Sequence, residues 1–246
     1  MASMLRLEKI SKHFGAIVVA NNLDLDVPAG QALGIIGPNG AGKTTLFGMI
    51  AGAVKPDQGR VIFAGADITH MSPPQRCRQG IARSFQIPQP FGGMSVFENL
   101  LVAARLGAGL TQIEADRTCV DILERCGLAD LANKKANALT LLQRKRLELG
   151  RALASRPKLL LLDEVAGGLT EVECHALVEL VRAVKDSGVT IVWIEHIVHA
   201  LIAVVDRLVV LHGGDWIADG DPARVIKSPA VEEIYMGIPA GIPANV

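Results

Sequence analysis

The sequence has 246 residues, with 25 Lys and Arg against 25 Asp and Glu, so its formal net charge is zero. Half of the residues are apolar and 20% are charged, a balance that excludes an intrinsically disordered chain. The neutral charge and the low aromatic content, 4% of the residues, argue against nucleic acid as the main partner.

The length and the apolar runs favour one cytosolic α/β domain with room for an inserted subdomain. No run reaches the about 18 to 20 apolar residues that a membrane span needs, because Asp163 ends one run and Asp206 and Arg207 break another. The first residues lack the apolar segment of a secretory signal, and we expect none. The four cysteines form no CxxC pair, which favours reduced thiols over zinc ligands or disulfides.

The first ninety residues are predicted to be rich in strands. Apolar residues alternate with polar ones at Leu5 and Leu7 and again at Leu23 and Leu25, which predicts strands with one buried face. The continuous apolar run 32–36 predicts a buried central strand. A glycine-rich loop follows, and residues 44–53 are predicted to form a helix.

The pattern changes after the breaker-rich segment 87–93. Helical spacing then predicts two apolar faces, one containing Val96, Leu100, Leu101 and Ala104 and the other containing Val120, Leu123 and Leu128. The runs 159–163 and 190–194 predict buried parallel strands joined by a helix over 171–185. The short repeat at 237–244 is predicted to be a flexible tail.

A phosphate-binding loop is the strongest motif in the chain. Gly37, Pro38, Asn39, Gly40, Ala41, Gly42, Lys43 and Thr44 match the pattern GxxxxGK[ST], with Thr45 next, between a predicted strand and a predicted helix. Glycines let backbone N–H groups converge on phosphate oxygens, and the helix adds its positive N-terminal end. The Lys43 ammonium is predicted to bind the outer phosphates, and the Thr44 hydroxyl is predicted to ligate Mg²⁺.

Two adjacent acids follow the predicted strand 159–163. Consecutive residues at a strand end point in different directions, so the two carboxylates can serve different tasks. We predict that Asp163 serves the metal ion and that Glu164 is the general base for an attacking water. Without the phosphate loop, the same pair would fit a solvated strand end equally well.

With these motifs in this order, the chain resembles the nucleotide-binding subunit of an ABC transporter over nearly its whole length. The resemblance implies an α/β fold with a P-loop NTPase core of ABC type, an antiparallel β subdomain and an inserted helical subdomain. The expected division is a core over 1–87 and 158–225, a helical subdomain over 88–157, and a C-terminal helix and tail over 226–246. The implied ligands are ATP and Mg²⁺.

The resemblance also assigns roles to single residues. Phe14 lies where the family carries an aromatic that stacks on adenine, although a core aromatic is the alternative. Gln86 corresponds to the glutamine that senses the metal ion and the γ-phosphate, so it is both a catalytic and a metal-site candidate. His196 corresponds to the switch histidine and is the third catalytic candidate beside Glu164 and Gln86.

Weaker similarities narrow the subfamily and its partners. The segments 83–86, 94–103 and 220–222 are similar to importers of branched-chain and other hydrophobic amino acids, although cassettes for urea, amides or lipopolysaccharide export share parts of them. The resemblance implies permease subunits, a second ATP-binding subunit, identical or not, and indirectly a solute-binding protein. It places the chain peripherally on the cytoplasmic face of the membrane, with no nucleic-acid partner.

The sequence departs from the family at its signature, L-S-G-G-Q, which contacts ATP bound to the opposite subunit. The corresponding segment, 139–143, retains Gln143 and offers the Thr140 hydroxyl, and both are candidate nucleotide contacts. Leu141 and Leu142 replace the two glycines, which predicts weaker contact with phosphate and slower turnover.

Three functions remain open at this stage. The chain is an energising ATPase of an importer, a subunit that binds ATP with little turnover, or a soluble ABC ATPase outside transport. Val165 and Thr170 replace the usual proline and acidic or amide residue, which puts cooperative hydrolysis in more doubt than ATP binding. The basic run 144–146 is predicted to be a solvated face.

Overall fold

A six-stranded sheet forms the centre of the computed structural model, which describes residues 2–236. The strand order is β10-β9-β3-β8-β7-β6, in which the five strands from β9 to β6 run parallel and β10 is antiparallel to β9. The strands are β3 (Ala32–Ile36), β6 (Ile81–Arg83), β7 (Leu159–Asp163), β8 (Thr190–Ile194), β9 (Arg207–His212) and β10 (Asp215–Gly220). As predicted, β3, β7 and β8 are buried along their whole length.

A second, antiparallel sheet packs beside the phosphate loop. Its order is β2-β1-β4-β5, formed by β1 (Ser3–Phe14), β2 (Ile17–Pro28), β4 (Gln58–Phe63) and β5 (Ala66–Asp67). The predicted alternation is confirmed, because Leu5, Leu7, Leu23 and Leu25 all point into the core shared with β3. The two sheets and the antiparallel β subdomain that one of them forms agree with the expected fold class.

Helices cover both faces of the central sheet and fill the stretch between β6 and β7. They are α1 (Lys43–Ala51), α2 (Pro73–Gln79), α3 (Val96–Val102), α4 (Gln112–Arg125), α5 (Leu141–Ala154), α6 (Glu171–Asp186), α7 (Val198–Ile202), α8 (Pro222–Val225) and α9 (Pro229–Met236). The prediction that α1 runs to residue 53 is wrong, because Gly52 adopts a left-handed conformation with φ of 84° and ends the helix.

The helices α3, α4 and α5 pack on one another through a common apolar core. Val96, Leu100 and Ala104 are fully buried, as the spacing predicts. Val120 is 50% exposed, so its assignment to the apolar face of α4 is wrong. The prediction for Leu123 is confirmed, because the buried face of α4 is formed by positions 115, 119, 122 and 123, which follow the helical repeat.

Residues 2–236 include no helix that is both long enough and apolar enough to cross a membrane. The predicted tail at 237–244 lies outside the described residues.

A buried arginine joins α2 to the end of α1. The side chain of Arg76 is 1% exposed and donates to four backbone carbonyls, those of Met49, Ile50, Thr69 and Met71, at 2.6 to 3.1 Å. Two of these carbonyls belong to the last turn of α1, where no following residue can satisfy them. Arg76 therefore fixes the far end of the helix that begins at the phosphate loop.

Replacing Arg76 with Met should lower the free energy of unfolding by about 3 kcal/mol, because it leaves buried carbonyls without donors. Urea unfolding followed by circular dichroism measures this change. Arg78→Met, at an exposed position of the same helix, is the matched control and should change stability by less than about 0.5 kcal/mol. Equal effects of the two substitutions would contradict the assignment.

Candidate active site

The phosphate loop connects the end of β3 to the start of α1 in a conformation that requires glycine. A Cβ atom on Gly37 would lie 2.1 Å from the carbonyl oxygen of Leu211, and one on Gly42 would lie 2.6 Å from that of Val19. Gly42 also has a φ of 99°, which side chains rarely tolerate. Because no side chain caps α1, its first N–H groups are available to an anion.

Lys43 lies beneath this loop and is buried. Its Nζ donates to the carbonyl oxygens of Gly37 at 2.7 Å and Pro38 at 3.0 Å. Burial lowers the pKa of Lys43, while the charges of Glu164 and Asp163 act in the opposite direction. Phosphate oxygens entering the loop can therefore replace two neutral carbonyl partners of this ammonium with anionic ones.

Glu164 lies across an open cleft from the loop. Val19, the residues 39–45 of the loop and Glu164 line this cleft. Glu164 follows β7 with a φ of 48°, an uncommon conformation for a residue with a side chain, and its N–H donates to the carbonyl of Ile194 at 2.8 Å. This turn of the backbone aims the carboxylate away from the direction taken by Asp163.

Two of the three residues predicted to be catalytic, Gln86 and His196, contact the third, Glu164. Nε2 of Gln86 donates to Oε2 of Glu164 at 2.6 Å, and Nε2 of His196 lies 2.7 Å from Oε1 of Glu164. Gln86 follows β6 and His196 follows β8, so the carboxylate is held from both neighbouring strands. The arrangement orients a carboxylate toward a phosphate-binding loop, which is the geometry that a general base for an attacking water requires.

Asp163 is oriented differently, as the sequence predicts. It ends β7, is buried, and pairs with Arg83, whose NH2 lies 2.6 Å from its Oδ2. The residues proposed for a metal ion, Asp163, Thr44 and Gln86, offer carboxylate, hydroxyl and amide oxygens, the donor types that Mg²⁺ prefers. Residues 2–236 contain no cluster of three or more His, Cys, Asp or Glu side chains suited to a metal. This donor set fits Mg²⁺, which usually takes few protein ligands and completes its shell with water and phosphate.

Phe14 lies at the end of β1 and is 51% exposed, which excludes the alternative that it is a core aromatic. The ammonium of Lys12 lies 5.2 Å from its ring centroid. An exposed ring is free to stack on a planar ligand, although Phe14 is not among the residues that line the cleft.

Thr140 and Gln143 form the N-terminal cap of α5. The Thr140 side chain accepts from the Gln143 N–H at 3.4 Å, and Gln143 Oε1 accepts from the Thr140 N–H at 3.0 Å. The helix begins at Leu141, so the two leucines leave its start in place. Leu141 is half exposed and points toward Gly168, whose Cβ would lie 3.4 Å from it, in the loop after Glu164. Thr170, which replaces the acidic or amide residue usual in the family, caps α6.

Two charged residues at the site were missed by sequence reasoning. Glu195 is buried and accepts N–H bonds from Ala166 at 2.7 Å and His196 at 3.1 Å, which joins the loops that carry Glu164 and His196. Burial raises the pKa of Glu195. Its place after five buried strand residues gave no indication of this role.

The prediction that 144–146 is a solvated face is wrong for Lys145. The residue is 5% exposed, its Nζ donates to the Gln86 carbonyl at 3.4 Å, and burial lowers its pKa while Glu195 and Glu164 oppose that shift. Its spacing of four residues from the buried Leu149 could have indicated a position on the inner face of α5.

The loop, the uncapped helix, the buried lysine and the two acids define a nucleoside-triphosphate site of the P-loop class. Comparison with known proteins extends this result, because the model of the ABC transporter family matches residues 20–167. The chain belongs to this family, as an ATP-binding subunit.

Three similar curated relatives agree with this assignment. A probable branched-chain amino acid transport ATP-binding protein LivG of Methanocaldococcus jannaschii is 36% identical, with 95% of this chain and 97% of the relative covered. LivG of Escherichia coli K12 is 33% identical, with 95% and 98% covered. The lipopolysaccharide export system ATP-binding protein LptB of Acidithiobacillus ferridurans is 30% identical, with 96% and 98% covered.

Solved structures confirm the fold. A nucleotide-free ATP-binding cassette from an ABC transporter has a TM-score of 0.87 at 34% identity, covering 96% of this chain and all of the other. The ADP conformation of an ABC transporter cassette has the same TM-score and identity, with 97% of this chain and all of the other covered. The expected ABC-type nucleotide-binding core is thereby confirmed.

The backbone of Glu164 gives a stability test that is separate from chemistry. Glu164→Gly and Glu164→Ala both remove the carboxylate, but only Ala keeps the cost of a positive φ. The Gly variant should therefore be more stable than the Ala variant by about 1 kcal/mol in urea unfolding. An Ala variant that is equally stable would show that this backbone carries no strain.

Proposed function

We propose that the chain binds and hydrolyses ATP to energise an importer of branched-chain or other hydrophobic amino acids. The observation that carries the catalytic part is the carboxylate of Glu164, held between Gln86 and His196 and facing the phosphate loop. The family implies nucleotide binding and permease partners, and the printed names of the LivG relatives support the substrate class.

ATP binding uses groups that are already in place. The loop N–H groups, the first turn of α1 and Lys43 bind the phosphates, while the exposed Phe14 ring stacks on adenine. Thr44, Asp163 and Gln86 would hold Mg²⁺, which would neutralise the charge that develops on the phosphate oxygens. Lys43 adds its own positive charge at the same end of the nucleotide.

Hydrolysis requires a base that is oriented before water attacks. Glu164 accepts the proton of the attacking water, and the contacts of Gln86 and His196 fix its two oxygens. Lys145 and Glu195 fix the two residues that contact Glu164. Lys145 donates to the Gln86 carbonyl, and Glu195 accepts from the His196 N–H. A base fixed in this way loses little orientational freedom on the way to the transition state.

Transport requires the chain to act in a larger assembly. Two ATP-binding subunits sandwich two nucleotides, and the binding free energy of closure moves the permease subunits on which they sit. The chain acts at the cytoplasmic face of the membrane, and a solute-binding protein delivers the substrate on the other side. The similarity to LptB leaves lipopolysaccharide export as the competing substrate class.

The complex isolated from membranes through a tag on this chain tests the proposal. After reconstitution in proteoliposomes, it should take up labelled leucine when ATP is present on the side of this chain. The same complex with Lys43→Ala should show less than about a tenth of that uptake, because it lacks the phosphate-binding ammonium. Leucine uptake that does not depend on ATP or on Lys43 would contradict the proposal. So would a complex that transports another solute but takes up no leucine.

A second candidate function is ATP binding with little turnover. It is favoured by Leu141, whose half-exposed side chain occupies the start of α5 and lies against the loop after Glu164. A leucine side chain that keeps the phosphate away from one N–H donor at the start of α5 raises the barrier by about 3 kcal/mol. In an assembly with a second, different ATP-binding subunit, the intact loop and Glu164 of this chain would face a partner's signature, which leaves one full site.

The double variant Leu141→Gly with Leu142→Gly separates the two candidates. If the leucines suppress turnover, phosphate release by the purified chain should rise at least tenfold, with Leu169→Ala as a control at a neighbouring loop position. A native rate clearly above that of Glu164→Gln, with no rise in the double variant, would contradict the low-turnover function, because the native chain then hydrolyses ATP with leucine at these positions.

A further inference from the structure

Arg83 lies between Asp163, the carboxylate proposed for the metal ion, and the short segment that ends at Gln86. It is the last residue of β6 and stands opposite Leu161 of β7, so its side chain reaches along the neighbouring strand to Asp163. The two side chains are 15% and 7% exposed, and NH2 of Arg83 lies 2.6 Å from Oδ2 of Asp163. This is a largely buried ion pair inside the proposed metal site.

Two aromatic rings hold the guanidinium in place. Its central carbon lies 5.9 Å from the ring centroid of Phe47 and 5.4 Å from that of Phe85. Phe47 is fully buried in α1, the helix that begins at the phosphate loop, and Phe85 directly precedes Gln86. Cation–π contacts therefore join Arg83 to two further parts of the site.

The hydrogen bonding of Arg83 is directed at Asp163. Its Nε is buried and has no hydrogen-bond partner among residues 2–236, while NH2 makes the bond to Oδ2. Burying an arginine with one of its N–H donors unpaired costs free energy unless its remaining interactions offset the desolvation. The bond to Asp163 and the two ring contacts are the interactions that do so.

We propose that Arg83 is a positioning residue that anchors Oδ2 of Asp163 so that its other oxygen, Oδ1, faces the divalent cation. This inference rests on the proposed function, because it assumes that Asp163 serves the metal ion. Carboxylates at metal sites are commonly oriented by a hydrogen bond from outside the coordination shell, and losing that bond weakens metal binding about 10- to 100-fold. The rings fix the guanidinium, and the guanidinium fixes the carboxylate.

Nucleotide affinity measured with and without metal tests this role independently of turnover. The probe is the β,γ-imido analogue of ATP, whose Kd is determined by calorimetry in EDTA and again with saturating Mg²⁺. The Kd in EDTA divided by the Kd in Mg²⁺ is the factor by which the metal ion tightens nucleotide binding. Arg83→Gln should reduce this ratio at least tenfold and change the Kd in EDTA by less than about threefold.

Three further variants sharpen the test. Arg83→Lys keeps the charge and should retain an intermediate ratio. Arg60→Gln removes an exposed arginine that also lies 2.6 Å from a carboxylate, that of Glu8, and should leave the ratio unchanged. In an Asp163→Asn background, Arg83→Gln should have no additional effect, because its action passes through the carboxylate. Thermal unfolding confirms that each variant is folded.

Several outcomes would overturn the inference. A ratio that is unchanged or larger in Arg83→Gln would show that the guanidinium is neutral toward the metal or competes with it. A parallel loss of affinity in EDTA would show a general disruption of the loop. If the native chain itself binds the analogue equally well with and without Mg²⁺, the proposed metal-dependent function fails, whatever Arg83 does.

Discussion

The site depends on one constraint, which is that the neighbouring parallel strands β3, β8, β7 and β6 end at the same edge of the sheet. This edge receives the phosphate loop from β3, His196 from β8, the acid pair from β7 and Gln86 from β6. Gln86 and His196, which are more than a hundred positions apart in sequence, thereby both come within hydrogen-bond distance of Glu164. The parallel register is maintained by strands that are completely buried, so the chemistry depends on the core.

Buried charge is the second feature that organises the molecule. Asp163 is paired with Arg83, Glu195 accepts backbone N–H bonds, and Lys145 donates to the backbone of Gln86. Each of these groups would be costly if it stood alone in the interior, and each is satisfied by a segment that carries a predicted catalytic residue. The residues that hold the site together are therefore themselves polar, and burial raises the pKa of Glu195 and lowers that of Lys145.

The phosphate loop, the central strands and the acid pair could be predicted because their information is local. The loop requires glycine at fixed positions, and β3, β7 and β8 are short apolar runs with clear ends. Gln86 and His196 followed from resemblance to a family, since no local pattern indicates that their side chains meet at Glu164. The structure shows this meeting directly, and the catalytic and metal roles assigned to the residues stay predictions.

The remainder could not be predicted because it depends on packing between distant segments. Val120 was assigned with Leu123 to the buried face of α4, but the helix is rotated so that Leu123 is buried beside Ile122 while Val120 is exposed. Lys145 was assigned to solvent because it lies in a basic run, yet α5 turns it toward Gln86. In both cases the local pattern permitted two helix faces, and the position of the neighbouring helix decided between them.

The central claim is that Glu164, held by Gln86 and His196, is the base that activates water for ATP hydrolysis. The most direct measurement is phosphate release from MgATP by the membrane-isolated complex, with the native chain compared with Glu164→Gln. The account predicts that the substitution lowers the rate at least 100-fold while ATP still binds. Equal rates in the two complexes, with ATP bound in both, would contradict it.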